Sequence, residues 1–369
     1  MKRRKHVLAA LVAVGALVAI TLAHLFSSSV HLVPSINESL RLTDELPENM
    51  WFSPSGDLLG VFSDLSNLRL DKWSKKDMAA RISCVFPNEF RLAVSPGDTL
   101  VYAISDDGNL LAWVQRDVVR IWEIGRCSTA REVRVLPVPG ATRIANLLFI
   151  GPNLIAIVYD SGKLEAWDFS RGYRGLAGTY LGENWKIWSR GLPIVMSSPT
   201  MEDIASITFE GPDRIKVKTE FLPARVSSIA TSGDRLAIVS EEGGIMEKSK
   251  GEEFYPTYMP QVLSAPVRAV AFYGEEYLLA GGDFEGIYIV NHGDSLLLSG
   301  QAGGIRHIVT HGTRVAYDSF FRSRGTFVAD VQRIWRIDEQ GRLILTLLAL
   351  FLSIIAIVWT ACVSLYRKG

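Results

Sequence analysis

The sequence predicts an all-β repeat fold that lies between two apolar helices. Short alternating runs of residues, separated by Gly, Pro, Asp, Asn and Ser, fill the chain from Leu40 to Trp335. This pattern is typical of antiparallel strands joined by tight turns. Each end of the chain instead holds an uncharged apolar run of about twenty residues, which is long enough to cross a bilayer as a helix.

The first apolar run, residues 7–26, follows a basic tail at residues 1–6. Because positive charge is retained on the cytoplasmic side of a membrane, we expect the N-terminus to stay in the cytoplasm. A cleaved signal peptide is the alternative. Its apolar core would usually be shorter and would be followed by small residues in an Ala-x-Ala pattern, which Ala23-His24-Leu25 does not match. The sequence therefore favours an uncleaved transmembrane helix.

The second apolar run, residues 343–365, ends in a basic tail at residues 366–369. Neither end of the chain contains Asp or Glu, so the middle carries all 39 acidic residues and a net charge of about −6. Two spans place both termini on one side. The sequence thus predicts a two-pass membrane protein with cytoplasmic termini and an extracytoplasmic (periplasmic) body at residues 39–335, joined to the helices by linkers 27–38 and 336–342.

Both apolar runs carry small residues at helical spacing. Such residues let membrane helices approach closely, so they predict packing of the two helices or docking against another membrane subunit. The alternative is that apolar helices are simply rich in small residues. The residues concerned are Gly15, Ala19, Ala23, Ser353, Ala356 and Thr360.

A repeat of about forty residues runs through the body. Each copy has two apolar strands separated by a turn that contains glycine, and successive glycines are 52, 43, 40, 42, 41 and 38 residues apart. This period predicts a blade of four strands, and seven copies predict a seven-bladed β-propeller. We expect Ser39–Thr43 to complete the last blade. The glycines are Gly56, Gly108, Gly151, Gly191, Gly233, Gly274 and Gly312.

One repeat carries the pattern most fully: Asp160-Ser161-Gly162-Lys163-Leu164-Glu165-Ala166, followed by Trp167 and Asp168. Related pieces occur at Ser53–Leu59, Ser105–Ala112 and Ile121–Glu123. On these motifs the body resembles a divergent WD-repeat propeller. A Gly-His pair typical of that family is absent from the sequence, and Trp-Asp occurs once.

The body contains two of the three cysteines, Cys84 and Cys127. They could form one structural disulfide if the body lies in an oxidising compartment, or they could be two buried thiols. The sequence offers no phosphate-binding loop and no nucleophile elbow, so it predicts no cofactor and no catalytic residues. His307 and His311 stand four apart on a predicted strand, too far apart to share a metal ion.

Zero formal net charge gives no indication of nucleic-acid binding. We expect a membrane-anchored scaffold, in which a rigid propeller presents loops to other proteins, including subunits of a membrane complex, and contacts the lipid bilayer through its helices. Trp185 and Trp188 either anchor such a surface or pack between blades. Two alternatives stay open. One is a ligand-binding or enzymatic propeller with a site at the central channel, which would need converging polar residues on the innermost strands, whereas Asn146, Ser228 and His307 are isolated there. The other is an envelope assembly factor.

Overall fold

A computed structural model gives the fold of the chain. The chain divides into two compact units, Ile36–Asp330 and the two flanking segments Met1–Ser35 and Val331–Gly369. The structure describes residues 21, 30–36, 38–63, 68–86, 101–115, 118–124, 131–137, 143–170, 173–181, 185–188, 194–198, 200–209, 215–257, 265–275, 277–291, 294–321, 323–337, 342–343, 345–347, 349–350 and 353.

The larger unit consists of seven antiparallel four-stranded sheets, which confirms the predicted all-β, seven-bladed propeller. Blades 1 to 3 are β3 (Asn49–Phe52), β4 (Leu58–Ser63), β5 (Leu68–Trp73) and β6 (Arg81–Val85); β7 (Tyr102–Ile104), β8 (Leu110–Gln115), β9 (Val118–Glu123) and β10 (Arg131–Pro137); and β11 (Ile144–Gly151), β12 (Leu154–Tyr159), β13 (Lys163–Asp168) and β14 (Tyr173–Tyr180). Blades 4 to 6 are β15 (Lys186–Ile187), β16 (Ile194–Ser197), β17 (Asp203–Phe209) and β18 (Ile215–Phe221); β19 (Val226–Ser232), β20 (Arg235–Ser240), β21 (Ile245–Lys248) and β22 (Tyr255–Pro256); and β23 (Val267–Tyr273), β24 (Tyr277–Gly282), β25 (Glu285–Asn291) and β26 (Asp294–Gly303).

Blade 7 is completed by the N-terminal part of the unit, as the sequence predicted. Its first three strands are β27 (Ile308–His311), β28 (Arg314–Ser319) and β29 (Gly325–Asp330), and its outer strand is β2 (Leu40–Thr43). Leu40 pairs with Val328, and Thr43 pairs with Thr326. Closing the ring in this way protects one edge of β29 that would otherwise be open.

The hydrophobic cores lie between neighbouring blades. One cluster joins Val119 and Ile121 of blade 2 to Ile155, Ile157 and Trp167 of blade 3. Further clusters join blade 1 to blade 2, blade 3 to blade 4, blade 4 to blade 5, blade 5 to blade 6, and blade 7 to blade 1. Continuous apolar runs, such as those in β12 and β24, each form the second strand of a blade. They are buried on both faces. Each blade therefore depends on its neighbours to bury its faces.

The smaller unit contains β1 (Val30–Ser35) and β30 (Gln332–Ile337), which pair with each other as a two-stranded antiparallel sheet. The sequence placed β1 in the linker 27–38 and most of β30 in the propeller. Apart from a few positions, the predicted transmembrane segments 7–26 and 343–365 lie outside the described residues. None of the helical residues that are described belongs to a helix long and apolar enough to span a membrane.

Candidate interaction surface

The glycines predicted from the repeat lie at one end of the blades. Five of them, Gly56, Gly108, Gly233, Gly274 and Gly312, occupy the turn between the first and second strands and have positive φ angles. Gly151 is the last residue of β11, at the corresponding turn of blade 3. Gly191 lies outside the described residues. We call this end of the ring the glycine-turn end.

The opposite end, where the first strand of each blade begins, carries an acidic residue at one equivalent position in four blades. Each acid comes directly after the second-strand residue that pairs with the first residue of the first strand. Each donates its backbone N–H to the carbonyl of the residue just before that first strand. The turn between the second and third strands lies at the same end. The four residues are Asp160, Glu241, Asp283 and Asp318.

Arginines from the start of the first strand lie beside two of these acids. Arg268 Nε is 2.9 Å from Asp283 Oδ2 in blade 6, and Arg143 Nε is 3.7 Å from Asp160 Oδ2 in blade 3. Arg225 of blade 5 lies 3.9 Å from Glu202 of blade 4, so one pair joins two blades. We call this end of the ring, with its arginines and acids, the charged face. Because the pairs are 40 to 61% exposed on their side chains, they contribute little to stability and remain accessible to a partner.

Blade 7 differs because its acid is fully buried. Asp318 Oδ1 accepts hydrogen bonds from the backbone N–H groups of Arg306 and His307 at 2.8 and 2.9 Å, and Oδ2 lies 2.7 Å from His307 Nδ1. Asp318 thus fixes the segment that leads into β27. On the same segment, the Arg306 guanidinium lies 4.4 Å from the centre of the Phe320 ring. The neighbouring Phe321 is 67% exposed, so the charged face also offers an aromatic side chain.

The Trp-Asp pair lies at the end of β13, on the third strand of blade 3. Trp167 is buried between blades 2 and 3, and its Nε1 lies 3.2 Å from Glu165 Oε2. Asp168 accepts hydrogen bonds from the backbone and the hydroxyl of Ser170.

Burial, and then the hydrogen bond to Glu165, raises the pKa of Tyr159. Burial alone would raise the pKa of Glu165, but hydrogen bonds from Lys163, Tyr159 and Trp167 outweigh it and lower that pKa. This network holds the blade together.

The remaining predicted residues are placed as follows. Cys84 is buried on β6 and disulfide-bonded; Cys127 lies outside the described residues, so its pairing with Cys84 stays a prediction. Trp185 packs against the core of blades 3 and 4, and Trp188 against that of blades 4 and 5. Of the predicted helix-packing residues, Ser353 is described, and its hydroxyl donates to the carbonyl of Ala349; Gly15, Ala19, Ala23, Ala356 and Thr360 lie outside the described residues.

The central channel shows no metal centre in the part of the chain that the structure describes: no three His, Cys, Asp or Glu side chains there come together in a way that could hold an ion. Asn146 and Ser228 lie on the first strands of blades 3 and 5. Asn146 uses its side-chain oxygen to accept the backbone N–H of Leu147.

Sequence reasoning missed the charged face because it aligned the repeats on their glycines. The acids follow Gly151, Gly233, Gly274 and Gly312 by nine, eight, nine and six residues, so they do not fall into one column. Aligning the repeats on the end of the second strand would have placed an acid directly after that strand in three blades, with Asp318 of blade 7 two residues earlier. The sequence therefore contains this pattern of acids, but it becomes visible only when the repeats are aligned on the end of the second strand.

Comparison with known proteins adds a likeness of fold. No family model matches the sequence, and no curated protein matches it. A chain in the solved structure described as "Crystal Structure of Mitotic Checkpoint Complex" superposes with a TM-score of 0.53 over 83% of this chain and 94% of that chain, at 10% sequence identity. At that identity the likeness concerns the fold alone. Membership of the WD-repeat family therefore stays a prediction.

Proposed function

We propose that this protein is an interaction scaffold that binds other proteins at the charged face, as an accessory subunit of a membrane complex. The observation that carries the proposal is the recurrence of half-exposed arginine–acid pairs at one end of several blades. Three such pairs, in blades 3 and 6 and between blades 4 and 5, lie at the same end of the ring and together present a broad surface.

The composition of the charged face favours a protein partner over a nucleic acid. Arginine and aromatic side chains are enriched at the centres of protein interfaces and contribute much of their binding energy. Arg306, stacked on Phe320, and the exposed Phe321 are residues of this kind. A phosphate backbone would be repelled by the acids that accompany the arginines, because nucleic-acid binding depends on an excess of positive charge.

The membrane part of the proposal rests on the sequence. Residues 7–26 and 343–365 have the length and apolarity of spanning helices, and the basic tails favour cytoplasmic termini with the propeller on the other side. The disulfide at Cys84 is consistent with an oxidising compartment. The similar propeller in the solved structure comes from a protein complex by its description, which is consistent with a binding role here.

Purification of the tagged full chain from membranes tests both parts. We expect the chain to sediment with membranes, to resist a high-salt wash, and to carry one or more partner proteins in mild detergent. Arg268→Glu places a carboxylate beside Asp283 at the charged face, and it should reduce the recovered partner about tenfold, since losing an interfacial charge pair costs about 1.4 kcal/mol or more.

The control is Lys250→Glu. Lys250 is exposed and forms an ion pair with Asp234. Lys250 lies in the turn between β21 and β22, at the glycine-turn end of the ring. This variant should retain the partner. Equal recovery from both variants would refute the charged face as the docking surface. A chain found only in the soluble fraction would refute the membrane part, and a chain that purifies without any partner would refute the scaffold.

A further inference from the structure

A groove of about 400 Å³ lies on the outer side of the ring between blades 4 and 5. One wall is β18, the outermost strand of blade 4, and the other is residues 251–254, the second part of the turn between β21 and β22 of blade 5. This groove is distinct from the arginine–acid pairs of the charged face. Its volume falls in the lower part of the range for sites that bind small ligands or short peptide segments.

The floor of the groove holds two lysines that share one acid. The ammonium groups of Lys218 and Lys248 both form ion pairs with the carboxylate of Glu220. Lys248 is the more buried of the two, with 14% of its side chain exposed, whereas 64% of the Lys218 side chain is exposed. Two positive charges therefore face a single negative charge, and the floor carries an unmatched positive charge.

Burial, followed by the proximity of Lys218, lowers the pKa of Lys248. Both causes act because the Lys248 ammonium is partly withdrawn from water and the Lys218 ammonium lies close to it. A second carboxylate placed between them would relieve this repulsion. The floor is thus complementary to an added anionic group.

The walls beside these lysines are apolar and aromatic. Phe221 is 74% exposed, the highest value among the exposed large apolar side chains that the structure describes. Across the groove, the Phe254 ring lies 4.9 Å from the Lys248 ammonium. An exposed aromatic side chain beside a groove is typical of a surface that a partner covers.

The rim sets a limit on how much negative charge the groove accepts. Glu252 and Glu253 are exposed and line its outer part. They would repel a polyanion such as a polyphosphate or a run of acidic residues. A single carboxylate next to apolar side chains meets less of this repulsion, because it carries only one negative charge.

We propose that the groove between blades 4 and 5 binds an extended segment of a partner protein in which one carboxylate, from Asp or Glu, is flanked by large apolar side chains. The carboxylate lies between the ammonium groups of Lys218 and Lys248. A flanking apolar side chain packs between Phe221 and Phe254. This docking site is separate from the one at the charged face, so either can be wrong while the other is right.

The test uses the full chain in mild detergent and the peptide acetyl-Gly-Phe-Asp-Leu-Gly-amide, observed by saturation-transfer NMR. A segment of this size should bind with a Kd of about 1 mM. The matched peptide with Asn in place of Asp should bind about tenfold more weakly, because it lacks the charge. A third probe, 3-phenylpropanoate, tests whether the groove takes a free acid instead.

Three variants locate the binding. Phe221→Ala, at an exposed position, should weaken binding of the Asp peptide several-fold without affecting the fold. Glu220→Gln should strengthen it, because both lysines lose their internal carboxylate; a merely destabilised groove would weaken it instead. Lys250→Met, which removes an exposed lysine that does not line the groove, should leave it unchanged.

Equal binding of the Asp and Asn peptides would overturn the proposal, as would unchanged binding to Phe221→Ala. Binding of 3-phenylpropanoate alone would show a site for small acids and would also overturn it. If the charged-face variant Arg268→Glu binds the Asp peptide normally, the groove acts independently of the scaffold function proposed above.

Discussion

Gly243 shows how one residue can depend on the neighbouring blade. It lies in the turn after β20 with φ +87°, and a Cβ added there would lie 2.5 Å from Pro266 Cα and 2.8 Å from Val267 N. Both contacts are with the start of blade 6. Gly251 has nearly the same backbone conformation, with φ +82°, but a Cβ there would meet nothing within 4 Å. The two glycines differ only in what surrounds them.

Substitution of each glycine by alanine should therefore separate the cost of backbone strain from the cost of steric crowding. Gly251→Ala should lower the free energy of unfolding by about 1 kcal/mol, the cost of a left-handed conformation for a residue with a Cβ. Gly243→Ala should lower it by about 3 kcal/mol, because it adds a clash with backbone atoms that cannot move aside. Urea denaturation of the full chain, followed by tryptophan fluorescence, measures both; equal losses would contradict the crowding argument.

A comparable position in blade 4 carries no glycine. Gly162 and Gly243 follow the second strands of blades 3 and 5, and each donates its N–H to the carbonyl three residues earlier. Met201 makes the same hydrogen bond in blade 4 and has φ 58°. The turn keeps its shape without the glycine that usually permits it. A pattern based on glycine cannot detect such a turn.

Among the elements, the segment between β26 and β27 is held in part by one buried carboxylate. Asp318 is fully buried and satisfies two backbone N–H groups on this segment. Asp283 occupies the equivalent position of blade 6, but its side chain is 40% exposed and pairs with Arg268 near the surface. The same residue type at the same position thus has two different roles.

We expect Asp318→Ala to lower the free energy of unfolding by about 3 kcal/mol, because two N–H groups and the His307 ring lose their acceptor. Asp283→Ala should cost less than about 1 kcal/mol, as is usual for exposed ion pairs. Thermal or urea unfolding of the full chain provides the comparison. A loss for Asp318→Ala no larger than that for Asp283→Ala would show that the segment is held by other contacts.

The elements also show how far the sequence could predict this fold. The first two strands of a blade were readable because a tight turn joins them, and because the second strand, buried on both faces, is a continuous apolar run such as Ile155–Tyr159. Apart from β2, which stands alone before the first repeat, the fourth strands were not readable, since β6, β10 and β18 are largely solvent-exposed and the lengths vary from two residues in β22 to ten in β26. The groove between blades 4 and 5 depends on one of these strands, β18, and so could not have been predicted.

At the scale of the whole molecule, ring closure joins residues that are far apart in sequence. Leu42 of β2 packs in the cluster shared by blades 7 and 1, and the Tyr317 hydroxyl lies 2.8 Å from the Ser39 hydroxyl. Thr326 donates a hydrogen bond to the carbonyl of Glu45. The sequence predicted this closure because a spare strand-like segment precedes seven repeats. The contacts make the ends of the larger unit part of one cooperative structure.

Two truncations that remove similar lengths of chain should therefore differ sharply in the melting temperature of the propeller. A chain that lacks residues 1–35 keeps β2 and should retain the melting temperature of its propeller. A chain that lacks residues 1–43 loses β2, which leaves the edge of β29 open and the cluster around Leu42 incomplete. Its melting temperature should fall by about 10 °C or more, as expected for a loss of several kcal/mol in a domain of this size. Circular dichroism of both chains in the same detergent measures the difference. If the two melt together, β2 does not close the ring, and the blades hold their neighbours without it.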